Sequence, residues 1–367
     1  HVKSSESIEG IRSAGIDVLE GQAAFTARPL EMAVTLANGT AVTVASKRFV
    51  ICTGASPAAP KIKGLSMVPY WTYRDFLEAL PSEVPARLIV IGGGPVGVEL
   101  AQAMAQVGSN VTIVAPTVLP RECPEAQQAL LGALVNVSGI KFVPSRVVEV
   151  LRLIPGEVTV VLEDNSRLTG SHILVATGRA PNLKSLELKK AGVAHSSAGI
   201  VVDTKGRTSA KGISAAGDVT NLPDRYSHFA GWQGFGAVKN ALLPWFLRGL
   251  LGPDRTVVPR VTFTRPEVGA VGMSKQEAQR RYGREGRRWF LVQVSNENLD
   301  RAVADGEAAG GFIQVYVHKS GRVLGGTVVS NRAGEITSLL AVAVHTRVHV
   351  KQLATALHPY PTYTFAL

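Results

Sequence analysis

The chain has 367 residues, with 39 Lys+Arg against 28 Asp+Glu for a formal net charge of +11, and it is 46% hydrophobic and 18% charged. At about 150 residues per domain this length suggests two or three domains, and the composition excludes a largely disordered or low-complexity chain. Two cysteines without CxxC-type spacing, Cys52 and Cys123, argue against a disulfide framework or a thiolate zinc site.

The chain opens at His1 in a polar stretch that lacks the apolar core of a signal peptide, which reads as the inside of a longer gene product. Cysteine usage fits cytosolic or organellar folding better than secretion, and the compartment is otherwise not legible. Leu30 to Cys52 reads as β structure with an Asn38-Gly39 hairpin signal, running into a Gly/Pro-rich loop. From Arg87 come an apolar strand (LIVI), a glycine loop (GGGPVG), a helix (VELAQAMAQVG) and a second strand (NVTIVA), a βαβ unit that predicts a parallel sheet. Further strands are predicted at 158–162, 172–176 and 213–216, and the last two end in Gly-containing loops. Such loops matter because ligands of open α/β sheets lie beyond the carboxyl ends of strands.

The stretch 241–252 is apolar but interrupted by Pro244 and Arg248, too short for a membrane span of about 20 residues. A separate α+β domain is expected from about 258, with strands at 290–294, 311–317 and 321–329 and a helix over 336–344. The clusters Arg280–Arg281 and Arg284–Arg288 read as solvated surface or as a polyanion site; no aromatic interleaving marks them for nucleic acid.

Gly92, Gly93, Gly94, Pro95, Val96 and Gly97 satisfy GxGxxG between a strand and a helix. Gly92 permits the turn, Gly94 admits a pyrophosphate and Gly97 lets helix and strand pack, with the phosphates at the positive helix end; the bland alternative is a structural turn. The carboxylate that usually meets the adenosine ribose, roughly 20 residues on, is replaced by Ala115. A 2′-phosphate is then tolerable, with Arg121 a candidate partner or an ordinary surface residue, so NADPH is favoured slightly over NADH.

Four more segments occur in order: Thr53-Gly54-Ala55, ATGRAPN (176–182), SAAGD (214–218) and FTRPEVGAVG (263–272). Together with the glycine loop they resemble the class I pyridine nucleotide–disulfide oxidoreductases, which include glutathione reductase, dihydrolipoamide dehydrogenase and mercuric reductase. The resemblance implies Rossmann-like FAD- and NAD(P)-binding domains followed by an α+β dimerisation domain. It divides the chain into 1–84 (partial FAD-binding domain), 85–190 (NAD(P)-binding), 191–250 (return segment of the FAD domain) and 258–367 (interface).

By the same resemblance Asp218 and Gly217 meet the flavin ribityl chain, although an Asx-turn would also explain Asp218. Thr53, Gly54 and Ala55 form the loop crossing FAD, while Gly178 and Glu99 lie near the nicotinamide nucleotide. Glu99 reads equally as a first-turn carboxylate favoured by the helix dipole. His358-Pro359-Tyr360-Pro361-Thr362 resembles the signature that reaches the partner subunit's active site in a homodimer. Tyr360 stands where disulfide reductases carry their acid/base His, as in mercuric reductase, where a phenol helps handle the metal; His358 is offset by two, and packing is the alternative for Tyr360. Phe365 replaces the Glu partner of that His.

The family's first FAD glycine motif and CxxxxC pair have no counterpart in these 367 residues, so an N-terminally incomplete chain is expected. The leading expectation is an FAD- and NAD(P)H-dependent oxidoreductase acting on a disulfide, metal ion or related acceptor, mercuric reductase-like. Alternatives are a flavin-linked quinone or small-molecule reductase, or a non-catalytic nucleotide-binding dimer. No resident metal, nucleic acid or membrane span is expected.

Overall fold

The computed structural model describes residues 7–78, 83–243 and 257–367. The chain separates into two units, His1–Ser56 with Ala180–Pro253 and Pro57–Arg179 with Asp254–Leu367.

In the first unit β1 (Gly21–Phe25), β2 (Glu31–Leu36) and β3 (Ala41–Ala45) form an antiparallel sheet. The Asn38-Gly39 signal is the β2–β3 turn, with Gly39 at φ +81°. β4 (Phe49–Ile51) follows, and it pairs in parallel with a strand much later in sequence, at Ile213–Ala215.

The second unit carries the βαβ region: β5 (Arg87–Ile91), α1 (Pro95–Gln106), β6 (Asn110–Val114), α2 (Pro124–Asn136) and β7 (Lys141–Val143). An antiparallel sheet of β8 (Val147–Leu151), β9 (Val158–Leu162) and β10 (Arg167–Gly170) intervenes before β11 (His172–Val175). β11, β5, β6 and β7 lie side by side, all parallel. The period-2 alternation of β5 explains its continuous apolar run. Leu88 and Val90 pack with Val98 and Ala101 of α1, while Ile89 and Ile91 face Val150, Val160 and Leu162 of the antiparallel sheet. Both faces of the parallel sheet are thereby covered.

Back in the first unit, β12 (Ile213–Ala215) runs into a turn at Gly217–Val219 and then α3 (Ser227–Leu242). Its core joins Phe25, Ile51, Ile200, Ile213 and Val219. The remaining strands return to the second unit: β13 (Arg260–Thr262), β14 (Glu267–Gly272), β15 (Trp289–Ser295), β16 (Phe312–His318) and β17 (Val323–Ser330), in spatial order β13-β14-β17-β16-β15. Helix α4 (Lys275–Tyr282) starts in a capping box of Ser274 and Glu277, and the short α5 (Asp300–Ala304) follows β15. α6 (Ala333–His345) buries Ile336 and Leu340 against Val271, Ile313 and Val328.

The parallel sheet and the α+β region appear where the sequence puts them, but several details differ. α1 begins at Pro95, so Val96 and Gly97 are helical; proline's fixed φ and missing N–H suit the first helical position. α3, and the strands β8 and β10 that flank the expected strand at 158–162, go beyond the elements expected from the sequence. Most of the apolar stretch 241–252, and Thr256, lie outside the described residues. Among the described residues no helix is long and apolar enough to cross a membrane, and no group of three His, Cys, Asp or Glu side chains is placed to hold a metal ion.

Candidate functional site: loops at the carboxyl ends of the parallel strands

Three loops leave the carboxyl ends of β5, β6 and β11, which are adjacent strands, and the glycines there have different causes. A Cβ on Gly92 would lie 2.5 Å from the Ala176 carbonyl oxygen, and its φ is +123°. On Gly93 it would meet the Thr117 oxygen at 2.2 Å, and on Gly97 the Gly92 oxygen at 2.1 Å. Those three are demanded by the fold itself. Gly94 has nothing within 4 Å of such an atom, and its φ of −73° is open to any residue. Gly178, after β11, also faces open space, at φ +143°.

Packing therefore requires Gly92, Gly93 and Gly97, whereas Gly94 keeps a path to the helix end clear. No side chain caps α1, so its first N–H groups and the positive end of its dipole are directed at that path. Such an end takes a phosphate or pyrophosphate. Ala115 is buried directly after β6, and Arg121 is exposed on the loop that continues from it. That loop is fixed from two sides. Gln127 donates to the Leu119 and Glu122 carbonyl oxygens at 3.1 and 3.0 Å, and Glu122 accepts from Arg260 Nε and Nη2 at 2.6 and 3.1 Å.

Glu99 is the fifth residue of α1, and no acidic residue occupies the first turn, so the reading of Glu99 as a first-turn carboxylate is corrected. The cause is the helix start at Pro95. Its Oε1 accepts the Phe263 N–H at 2.7 Å; burial pushes the carboxyl up from its ordinary value, and the N–H opposes this. One turn on, buried Gln102 accepts the Arg265 N–H at 2.7 Å and donates to the Arg265 carbonyl at 2.9 Å. Helix α1 thus grips the backbone of 263–265 at two places. Gln102 escaped the sequence reading because its partner is 163 residues away.

The first unit holds the other motif loops. Gly54 has φ +65° and nothing within 4 Å of an added Cβ. Asn182 closes this loop: it accepts from Ser56 Oγ at 2.8 Å, its side chain donates to the Thr53 carbonyl at 2.9 Å, and its N–H donates to the Gly54 carbonyl at 3.0 Å. Thr53 Oγ1 in turn donates to the Asn182 carbonyl at 2.9 Å. Ala55 is buried beside it. Gly217, at φ +77°, donates its N–H to Gln233 of α3 at 2.9 Å, and Asp218 is buried in the turn that follows. Asn182 and Gln233 were missed as loop supports, although Asn182 closes the quoted ATGRAPN.

Neither cysteine pairs with the other. Cys52, at the end of β4, is exposed as a residue, yet desolvation of its thiol pushes its pKa up against an opposing backbone hydrogen bond with Ala216; Cys123 is buried at the start of α2 and pushed up by burial. At the C-terminus the two catalytic candidates are held separately. The His358 ring bonds the Leu353 carbonyl through Nε2 at 3.2 Å, and the Tyr360 hydroxyl donates to Asp300 Oδ2 at 2.5 Å.

A glycine loop opening on an uncapped helix, at the carboxyl edge of a parallel sheet, defines a dinucleotide-binding α/β protein. The family is fixed by comparison: residues 2–241 match the pyridine nucleotide-disulphide oxidoreductase model and residues 258–367 match that family's dimerisation domain. The chain belongs to the pyridine nucleotide-disulphide oxidoreductases, an FAD-dependent family with NAD(P)H as electron donor. It is 37% identical over 365 residues to mercuric reductase of Acidithiobacillus ferrooxidans, covering 99% of this chain and 63% of that one. Mercuric reductase of Shigella flexneri is 38% identical over 370 residues, covering 99% and 62%. The chain thus spans less than two thirds of these relatives' length. Among solved structures it is similar to LpdA of Mycobacterium tuberculosis, with TM-score 0.86, 29% identity and 98% and 78% coverage. It is also similar to the HOCl-induced flavoprotein disulfide reductase RclA from Escherichia coli, with TM-score 0.82, 25% identity and 95% and 77% coverage.

Proposed function

We propose that the protein is a homodimeric oxidoreductase that takes hydride from NAD(P)H and passes electrons through FAD to a metal ion, disulfide or related acceptor, with mercuric ion the first candidate. The observation that carries this reading is the pair Gly94 and Gly178, unobstructed glycines on neighbouring strand ends beside an uncapped helix, in a chain 37% identical to a mercuric reductase.

In this reading the first N–H groups of α1 hold the pyrophosphate, with Gly94 admitting it. Ala115 leaves room for a 2′-phosphate that Arg121 meets, which favours NADPH. Glu99 and Gly178 border the nicotinamide end. Thr53, Gly54 and Ala55, with Gly217 and Asp218, hold FAD; the open Cβ direction at Gly54 and the buried short carboxylate of Asp218 suit a hydroxyl-rich linker. When bound, NAD(P)H supplies the hydride and FAD carries the electrons onward. Tyr360, with His358 nearby in sequence, stands for the segment that reaches the partner subunit.

The purified protein tests this by its flavin absorbance and by NADPH and NADH oxidation with mercuric ion, a quinone or a small disulfide. Bound flavin with mercuric-dependent oxidation is expected. Absence of flavin together with no oxidation by any acceptor overturns the reading, and nucleotide binding alone would leave a non-catalytic dimer.

A further inference from the structure

Two phenols of the C-terminal segment contact α5 and the residues just after it. Tyr363 is buried, and its one hydroxyl hydrogen is shared between Glu307 Oε2 at 2.8 Å and Asp305 Oδ2 at 3.2 Å. Tyr360, 66% exposed, donates to Asp300 Oδ2 at 2.5 Å, and its ring meets Phe365 edge-on with centroids 5.6 Å apart. Arg301, next to Asp300, is engaged by Asp305 at 2.9 Å, and among the described residues no cation pairs with Asp300. Tyr363 therefore anchors the segment, while Tyr360 stands outside it with a carboxylate and a ring fixing its direction.

A phenol has one hydrogen to give and lone pairs to receive with. Asp300 takes the hydrogen. What Tyr360 can present outward is then its oxygen, and the neighbouring carboxylate disfavours a phenolate, pushing the phenol above its ordinary pKa.

We propose that Asp300 is a positioning residue for Tyr360, holding its phenol so that a substrate meets a neutral oxygen acceptor and not a proton donor. The inference rests on the reading above that Tyr360 belongs to the active site, and it narrows the substrate class. Electron-poor acceptors that need no proton from this segment are favoured over a leaving thiolate that must be protonated as it departs.

The test is NMR of the full chain labelled with ¹³Cζ-tyrosine, the Tyr360 resonance being assigned by its loss in Tyr360→Phe. In Asp300→Asn that resonance is expected to shift while the Tyr363 resonance stays in place, and Asp300→Glu is expected to restore it in part. An unchanged Tyr360 resonance in Asp300→Asn overturns the proposal. Should the Asn variant not fold, Asp300→Ser removes the carboxylate while keeping a residue favoured at helix starts. With mercuric ion as acceptor, KM is expected to rise about two- to tenfold in Asp300→Ala, which removes the acceptor that Asn would keep, with kcat little changed, the scale of one exposed hydrogen bond. An unchanged KM also counts against the proposal when native turnover is present. If the resonance shifts but no variant, nor the native protein, oxidises NADPH, the pairing stands and the proposed function falls.

Discussion

Arg260 grips Glu122 with two nitrogens, Nε to Oε1 at 2.6 Å and Nη2 to Oε2 at 3.1 Å, and the two side chains are only 18% and 9% exposed. The pair ties the first strand of the α+β region to the loop carrying Arg121. Bidentate geometry offsets part of the desolvation cost, and deleting one partner leaves the other charge half-buried. Arg260→Ala is expected to destabilise the protein by roughly 2–3 kcal/mol, below the fully buried range because Arg260 keeps some solvent. Removing Glu122 as well should recover part of this loss. Urea unfolding of both single variants and the double variant measures the coupling, and strict additivity would show that the pair contributes nothing.

The glycine loop separates two kinds of glycine, and substitution should too. Gly97→Ala places a Cβ 2.1 Å from a backbone carbonyl, a clash expected to cost about 3 kcal/mol and to outweigh the roughly 1 kcal/mol that alanine gains in a helix. Gly94→Ala meets no protein atom and should cost about 1 kcal/mol or less, the difference between glycine and alanine at an N-cap. It should nevertheless weaken NADPH binding at least tenfold, because the methyl group enters the path to the uncapped helix end. Thermal melting and a nucleotide titration on the same two variants decide this. Equal losses of stability would remove the distinction.

The parallel sheet was legible because β5 and β6 are apolar runs flanking a glycine loop, a pattern set by neighbours in sequence. Gly94 could be read for the same reason. Of the antiparallel β8–β10 sheet only 158–162 was visible, as an apolar run buried throughout, whereas β8 and β10 are short, carry charged residues and are buried only in part. Contacts that shape the site escaped where they join distant segments: Gln102 to Arg265, Asn182 to Thr53, and Asp300 to Tyr360. No periodicity marks such partners. Glu99 stands out in the sequence, but reading GGGPVG wholly as loop delays the helix past Gly97 and moves Glu99 into a first turn that Pro95 in fact begins.

Arg121 is expected to distinguish the two dinucleotides. Ala115 removes the carboxylate that would repel a 2′-phosphate, and Arg121 is exposed further along a loop fixed through Glu122. Arg121→Ala is expected to lower the preference for NADPH over NADH about tenfold, the scale of one charge-assisted phosphate contact, with NADH binding nearly unchanged. Parallel titrations with the two nucleotides measure the ratio. Equal weakening of both would assign Arg121 a general role in the loop and not 2′-phosphate recognition.

Glu99 makes stability depend on pH in a definite direction. Burial raises its folded pKa above the ordinary value of 4.5, and the Phe263 N–H only partly opposes this. Between the ordinary and the raised value the native state holds more protons than the unfolded chain, so unfolding free energy falls as pH rises. The favourable contribution of this group is complete below the unfolded pKa and is lost as pH climbs through the folded one. Glu99→Gln cannot ionise and keeps a carbonyl oxygen for the Phe263 N–H, so it lacks this slope. Its stability relative to the native chain should therefore increase from about pH 4 to about pH 7, read as the difference in urea midpoints at several pH values. A constant difference would mean that the carboxyl titrates alike in both states, and a decreasing one that the Phe263 N–H outweighs burial and holds the carboxylate ionised.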